Sequence, residues 1–273
     1  KDMMTMHIHP LYRAGIRPCG FSLAKMGMIC LIFLLLPGVA WCRIFIDINA
    51  PSTPKFSIAI PDFNHVGSDR DRPDLSKELP GIISSDLDFS GFFNPMDKGA
   101  FLEEKGGGLE AGSIQFKNWS VIGAELLLKG QYSCIGNQLE VEIRLFDVFW
   151  GRQILGKRAL GDVSRQRNLM HRLSNEIIQQ LTGHPGMFLT KIAFVDNSTG
   201  NREIYVSDYD GYDARQVTHD KSIALLPRWS PDGRQILFSS HLGRAAYFAG
   251  NSRLALIPAE GGPVRSLTDA FDE

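Results

Sequence analysis

Cysteine is scarce in this sequence, and the few cysteines are unevenly placed. Cys19, Cys30 and Cys42 precede residue 43, which leaves Cys134 alone in the rest of the chain. A stretch with a single thiol cannot hold a framework of disulfides, so the disulfide-stapled class of small secreted domains is excluded. Cys134 lies in an apolar, strand-like run, which favours a buried structural thiol over a nucleophile.

An excess of charge of either sign is also absent. The 29 Lys and Arg residues stand against 30 Asp and Glu residues, which argues against a domain that coats nucleic acid. Glycine, by contrast, is plentiful, at 27 of 273 residues against an average of about 7%. That content indicates many tight turns and therefore β structure. The length predicts one or two domains.

The longest apolar run is too short to span a bilayer as a helix. Met26–Leu36 is about 11 residues long, whereas a spanning helix needs about 20. Arg13, Arg17 and Lys25 precede the run and the small-residue stretch Pro37–Ala40 follows it, which is the order of a secretory signal. We therefore predict a signal peptide over residues 1–42 and no transmembrane span after its cleavage. An uncleaved membrane anchor is the alternative.

Residues 43–185 alternate strand and helix patterns, as is typical of an α/β domain. Leu169, Leu173, Ile177 and Leu181 recur every four residues, the core stripe of an amphipathic helix. A mixed sheet with helices on one side is the simplest assembly. Further helical spacing is expected over 78–91 and over 119–125, and strands are expected over 43–48, 56–60, 125–134, 138–148 and 152–160, with Gly136-Asn137 as a hairpin turn.

From residue 190 onward the helical periodicity gives way to short strands and turns that repeat. A shift of 50 positions carries Ile204 onto Leu254 and Thr218 onto Thr268, and a shift of 44 carries Ile192–Phe194 onto Ile236–Phe238. The two shifts differ because of an insertion around Arg244–Asn251. A repeat of about 40–50 residues with four short strands is typical of propeller blades. Residues 190–273 are therefore expected to form the first part of an all-β propeller, under two blades.

Two stretches come close to ligand-binding motifs without completing them. Gly151–Lys157 matches most of the phosphate-binding loop motif, but Arg158 stands where Ser or Thr would hold magnesium. A strand pair is the better interpretation of this stretch. Ser207–Asp213 is acidic enough for weak calcium binding, although Tyr212 stands where a ligand is needed and a hairpin turn is favoured. The histidines show no metal spacing, and no nucleophile–base set is recognisable. We predict no catalytic residue, no cofactor and no metal site.

Trp229–Gly233 is the most specific local motif, with the sequence Trp-Ser-Pro-Asp-Gly. Its structural role follows from its composition, because Pro fixes φ, Asp caps the turn and Gly permits the reversal. With this motif in place, the chain resembles the TolB family of the Tol–Pal envelope system. The stretches that carry the resemblance are Arg43–Asp47, Leu79–Leu87 with Ser90–Pro95, Leu181–Gly183 with Thr190–Val195, Val206–Tyr212 and Trp229–Gly233.

The resemblance implies a periplasmic binding protein without enzymatic activity. Its α/β domain would precede a six-bladed propeller, most of which this chain does not contain. Such a protein would link two partners, Pal and TolA, and through them support outer-membrane integrity and envelope constriction at cell division. Other outer-membrane proteins and colicins are further implied partners, and nucleic acid is not.

The resemblance also assigns residues to the two main partners. The segment implied to engage TolA, the partner anchored in the inner membrane, is Arg43, Ile44, Phe45, Ile46 and Asp47. The propeller channel would receive Pal, the peptidoglycan-associated lipoprotein. The blade turns implied to lie near the Pal-binding face contain Asp208, Tyr209, Asp210 and Gly211, and Arg228, Trp229, Ser230 and Asp232.

Two other classes of protein stay open. Peptidases of the prolyl-oligopeptidase type also carry Trp-Ser-Pro-Asp-Gly propellers, and a Gly-x-Ser-x-Gly elbow beyond residue 273 would favour them. A generic periplasmic propeller that binds small ligands or sugars would lack the Leu79–Pro95 stretch.

Overall fold

The computed structural model describes residues 55–67, 72–102, 108–221, 223–242 and 252–268. The predicted signal peptide, the Arg43–Asp47 segment and the insertion around Arg244–Asn251 lie outside these residues. Helices α1, α2 and α3 span Leu75–Phe89, Phe116–Val121 and Gln166–Thr182. The strands are β1 Phe56–Ala59, β2 Asn64–His65, β3 Phe93–Pro95, β4 Leu126–Ile135, β5 Gln138–Asp147, β6 Arg152–Asp162, β7 Lys191–Asp196, β8 Glu203–Asp208, β9 Arg215–Gln216, β10 Ala224–Trp229, β11 Gln235–Ser240, β12 Arg253–Pro258 and β13 Arg265–Ser266.

Six strands form the sheet of the first domain. Their order is β3-β1-β4-β5-β6, with β2 paired to β4. β1 runs parallel to β3 and β4, whereas β4, β5 and β6 are antiparallel neighbours. The predicted mixed sheet is therefore confirmed. The β4–β5 hairpin turns at Gly136, whose φ of 60° is the left-handed conformation that favours glycine there.

The two long helices pack against each other, and the predicted apolar stripe of α3 is buried. α3 ends at Gly183 with φ 75°, the expected left-handed cap. α2 begins three residues before its predicted start at Trp119. It covers a smaller cluster that includes Leu127 and Phe146, whose side chains alternate to the face opposite α3. The long helices thus share one side of the sheet, and the short α2 lies on the other.

Pro80 lies inside α1 without ending it, because the missing N–H is replaced from outside the helix. A proline at this position leaves the carbonyl of Ser76 without its partner four residues on. The backbone N–H of Phe63 donates to that carbonyl at 2.9 Å, and the Ser76 hydroxyl donates to the Phe63 carbonyl at 2.7 Å. Helix α1 is thereby tied to the loop between β1 and β2.

Gly130 in β4 lies so close to Phe63 that no side chain fits at position 130. A Cβ built there would stand 2.5 Å from a ring carbon of Phe63, which is 1% exposed and has no room to move. We expect Gly130→Ala to lower the free energy of unfolding by about 1–3 kcal/mol through overpacking. Urea unfolding measures this. Gly81→Ala is the matched control, because an added Cβ there meets nothing within 4 Å. It should be neutral or slightly stabilising, and an equal loss in both variants would contradict the prediction.

Two antiparallel sheets follow the first domain. One has the order β7-β8-β9 and the other β10-β11-β12-β13, as expected for propeller blades. A shared core packs between them, formed by Ile204, Val206, Val217, Ala224, Ile236, Phe238, Ala255 and Ile257. β10 was not predicted as a strand. Its alternation is interrupted by a register shift between Leu225 and Arg228 and by a φ of 55° at Leu226.

The predicted 50-residue repeat also holds at the level of hydrogen bonds. The hydroxyl of Thr218 accepts the backbone N–H of Ile204 at 2.8 Å, and that of Thr268 accepts the N–H of Leu254 at 3.1 Å. In each case the threonine lies two residues after the last strand of its sheet and bonds to the strand beside it. Across the described part of the chain, no helix combines the length and the apolar character needed to cross a bilayer.

Candidate functional site

The turn between β8 and β9 reaches back to the first domain and inserts Tyr209 between α1 and α3. The Tyr209 side chain is almost fully buried, with the residue 6% exposed. Its ring lies 5.2 Å from the ring centroid of Phe89, 5.4 Å from that of His171 and 5.3 Å from that of Phe188. Phe188 belongs to the segment that joins α3 to β7. One aromatic side chain of the first blade is therefore anchored in the α/β domain.

A buried carboxylate lies at the centre of this contact. The Tyr209 hydroxyl donates to Asp86 of α1, and both carboxylate oxygens of Asp86 lie 3.0 Å from Nδ1 of His171. Asp86 and His171 are 1% and 2% exposed. A carboxylate only accepts, so the network assigns a proton to Nδ1 of His171. Burial, reinforced by the bond to Asp86, raises the pKa of Tyr209 far above its ordinary value and keeps the phenol a donor.

An ion pair closes the rim of the contact. Arg167, one turn before His171 on α3, pairs with Asp210, and its guanidinium lies 4.3 Å from the ring centroid of Tyr212. Partial burial favours the neutral acid, but the Tyr212 N–H and the Arg167 guanidinium together lower the pKa of Asp210 below its ordinary value. Nε2 of His171 lies 3.7 Å from Asp210, beyond hydrogen-bond distance.

We call Asp86, Arg167, His171, Tyr209 and Asp210 the interdomain cluster. It contains two carboxylates, a guanidinium, an imidazole and a phenol, but no serine, cysteine or lysine nucleophile takes part in it. Its hydrogen bonds are directed at each other rather than at an open cleft. The arrangement is therefore suited to holding a blade turn against two helices.

The structure shows where the predicted Asp208–Gly211 turn lies. Tyr209 is buried in the interdomain cluster, and Asp210 is paired with Arg167. Asp208 accepts from Lys191 at 2.8 Å, and Gly211 has φ 82°, as a tight turn requires. In this conformation the turn serves contact within the chain. The contact of these residues with Pal stays a prediction.

The second predicted group, around Trp229–Gly233, is a self-contained turn on the other sheet. The Ser230 hydroxyl donates to Asp232 at 2.6 Å, and Asp232 also accepts the Arg234 N–H at 3.1 Å. These two bonds lower the pKa of Asp232. Trp229 packs against the core between the two sheets, whereas Arg228 is exposed. The structural role predicted for the motif is confirmed, and a role in binding Pal stays a prediction.

The two near-motifs are ordinary parts of the fold. Gly151 turns the β5–β6 hairpin with φ 58°, and Arg158 lies within β6, where it pairs with Glu142 at 3.0 Å. Residues 151–158 thus form the turn and part of the second strand of the predicted strand pair, rather than a loop that opens a helix. Cys134 is buried, as predicted. Within the described ranges, no three side chains of His, Cys, Asp or Glu are grouped so as to hold a metal ion.

Sequence reasoning missed three members of the interdomain cluster, which are Asp86, Arg167 and His171. One signal was available for Asp86, because it falls on the apolar face defined by Leu79, Ile82 and Ile83 at helical spacing. A carboxylate on a core-facing position requires a buried partner. His171 was interpreted as a surface or satisfied residue, but it is buried and only half satisfied: Nδ1 is bonded to Asp86, and the buried Nε2 has no hydrogen-bond partner among the described residues.

Two family models match the chain. The model of the TolB amino-terminal domain matches residues 44–154, and the model of the TolB beta propeller domain matches residues 178–248. They occur in the order that the fold shows, and together they span more than half of the chain.

Curated relatives and a solved structure give the same result. The Tol-Pal system protein TolB of Desulfosudis oleivorans is 35% identical over 222 residues, covering 80% of this chain and 51% of the relative. That of Syntrophus aciditrophicus is 35% identical over 206 residues, covering 74% and 46%. The crystal structure of TolB from Acinetobacter baumannii matches with a TM-score of 0.62 and 24% identity, over 82% of this chain and 52% of that one. The chain spans about half the length of the curated relatives it matches.

Proposed function

The chain belongs to the TolB family, and from that premise we propose that it is a periplasmic binding and scaffold component of the Tol–Pal system, not an enzyme. The observation that carries the proposal is the match of both TolB domain models, in order, to the two parts of the fold. The same match favours this family over the peptidase and the generic ligand-binding propeller. In this role the protein would support outer-membrane integrity and envelope constriction at cell division.

We further propose that the two parts of the protein bind different partners. Arg43–Asp47 would bind TolA, and the alternation of Ile44 and Ile46 with Phe45 and Asp47 suits addition of a strand to a sheet edge. The propeller would bind Pal. Outer-membrane proteins and colicins are further proposed partners of the whole protein.

The interdomain cluster supplies a physical connection between the two proposed binding events. Tyr209 belongs to a blade turn and Asp86 to α1. A displacement of the blade turn must therefore either break their buried hydrogen bond or move α1 with it. A partner that prefers one arrangement of the blade therefore shifts the state of the first domain, and the effect is reciprocal. On this proposal, Pal occupancy alters how readily the TolA-binding segment is released.

Deletion of residues 43–48 tests the proposal. We expect capture of TolA by the complete protein to fall at least about tenfold, since main-chain pairing and side-chain pockets are lost together. Capture of Pal from envelope extract and the melting temperature should not change. The double variant Ile44→Ser, Ile46→Ser removes the apolar side chains from one face of the segment, and Phe45→Ser alters the opposite face. Comparing TolA capture by the two variants shows which face carries the binding. Undiminished capture of TolA by the deletion variant would overturn the assignment.

A further inference from the structure

The imidazole of His171 uses only one of its two ring nitrogens. Nδ1 lies 3.0 Å from both carboxylate oxygens of Asp86, and the residue is 2% exposed. Nε2 is buried as well, and it has no hydrogen-bond partner among the described residues. A carboxylate oxygen of Asp210, in the β8–β9 turn, lies 3.7 Å from Nε2, just beyond hydrogen-bond distance. A buried polar atom without a partner costs free energy, so this atom requires an explanation.

Protonation of the ring would satisfy the unpaired nitrogen. In the neutral imidazole the proton is on Nδ1, and Nε2 is an acceptor that lies beside another acceptor, the carboxylate of Asp210. In the imidazolium both nitrogens are donors. A closing movement of less than about 1 Å would then bring Nε2 of His171 within hydrogen-bond distance of Asp210. The charged ring would thus bond a helix residue, Asp86, and a blade-turn residue at the same time.

Charge balance in the interdomain cluster favours the same state. The charged and titratable groups around the imidazole come from three elements, with Asp86 on α1, Arg167 on α3, and Tyr209 and Asp210 on the β8–β9 turn. While the imidazole is neutral, two carboxylates face one guanidinium, and the cluster carries an excess negative charge. A protonated imidazole cancels that charge. Burial of an unbalanced charge is costly, whereas a paired charge is tolerated.

Histidine is the side chain whose charge changes between about pH 5 and pH 8, and the other groups of the cluster keep theirs in that range. Carboxyl groups ordinarily titrate near about pH 4 and guanidinium groups above about pH 12. Partial burial opposes ionisation of Asp210, but the bond from the Tyr212 N–H and the charge of Arg167 hold its pKa below the ordinary value. Burial holds the pKa of Tyr209 far above its own ordinary value. A change of pH in this range therefore acts on the cluster through His171.

We propose that His171 is a pH-sensitive link between the first blade and the α/β domain. On acidification its imidazolium joins Asp86 to Asp210, and the blade turn is held more firmly against α1 and α3. The closed contact binds the proton more tightly than the open one, so the contact strengthens as the pH falls and weakens as the pH rises. The link concerns contact within the chain and needs no partner, so the proposed function stands or falls separately from it.

Hydrogen exchange of the complete protein tests the link. Protection factors, corrected for the intrinsic exchange rate at each pH, are measured over residues 207–213 at about pH 8 and about pH 5.5. In the wild-type protein we expect protection to rise at least about tenfold on acidification, as expected for one hydrogen bond between charged groups. His171→Asn places an amide N–H where Nδ1–H donates to Asp86, but it has no group that titrates. In this variant the pH dependence should disappear.

Two further variants isolate the contact with Asp210. Asp210→Asn removes the charged acceptor at a side chain that is 22% exposed, so the protein should fold, and its protection should not depend on pH. His184→Asn, at an exposed histidine just after α3, should keep the full wild-type pH dependence. A wild-type protein whose protection is constant or falls on acidification would overturn the proposal. A wild-type slope in His171→Asn or in Asp210→Asn would do the same. If His171→Asn does not fold, the comparison of Asp210→Asn with His184→Asn decides.

Discussion

Asp86→Ala is expected to lower the free energy of unfolding by about 3–5 kcal/mol, among the largest effects of any single substitution in the described chain. Asp86 accepts from both His171 and Tyr209, and all three side chains are buried. Its removal leaves an imidazole N–H and a phenol without an acceptor in a site that water does not reach. Urea unfolding, followed by tryptophan fluorescence, measures the loss. A second readout is the near-ultraviolet circular dichroism of Tyr209, which should weaken as the blade turn leaves the helices.

Three variants show whether the loss comes from the buried network. Asp88→Ala removes a carboxylate from the same helix, but its side chain is 65% exposed and lies 3.9 Å from Lys55, so the change should stay below about 0.5 kcal/mol. Tyr209→Phe removes one hydroxyl and should cost about 1–2 kcal/mol. Asp86→Asn keeps an acceptor and should fall between Tyr209→Phe and Asp86→Ala. If Asp86→Ala cost no more than Asp88→Ala, the interdomain cluster would have no part in stability.

The architecture could be predicted from the sequence wherever local pattern and packing agree. The i, i+4 apolar stripe of α3 predicts both the helix and the face that it buries, and Gly136 predicts the hairpin turn. Agreement is lost at β10, where a register shift and a left-handed Leu226 interrupt the alternation on which strand prediction depends. The short α2 was misplaced because its single buried anchor, Trp119, carries no periodicity.

The interdomain cluster could not be predicted, for a different reason. Asp86 and His171 are 85 positions apart in sequence, and Asp86 and Tyr209 are 123 apart. Each residue has an ordinary local explanation, as a helix residue or as a turn residue, and only the three-dimensional fold brings the groups together. The motif that identified the Tyr209 turn gave its location in the chain. It gave no information on whether the turn faces solvent, a partner or the first domain.

A buried carboxylate also lies in the first blade, and it predicts the second large effect. Glu203 is 1% exposed and accepts the hydroxyl of Thr218 at 2.5 Å and the backbone N–H of Lys221 at 3.0 Å. The same hydroxyl accepts the N–H of Ile204. Thr218→Val keeps the shape of the side chain but leaves a buried amide without an acceptor and a buried carboxylate short of a donor. We expect a loss of about 3 kcal/mol in the free energy of unfolding.

The sequence repeat provides an internal control for this prediction. Thr268 stands 50 positions after Thr218 and accepts the N–H of Leu254 in the same way, but it is partly exposed and position 253 is Arg instead of an acid. Thr268→Val should therefore cost about 1 kcal/mol, the ordinary contribution of one hydrogen bond. Urea unfolding of both variants isolates the contribution of the buried carboxylate, because the strand-to-strand bond is common to the two blades. Equal losses of unfolding free energy in the two variants would show that the hydrogen bond from Thr218 to Glu203 adds nothing to stability. A smaller loss at Thr218 than at Thr268 would contradict the argument from burial.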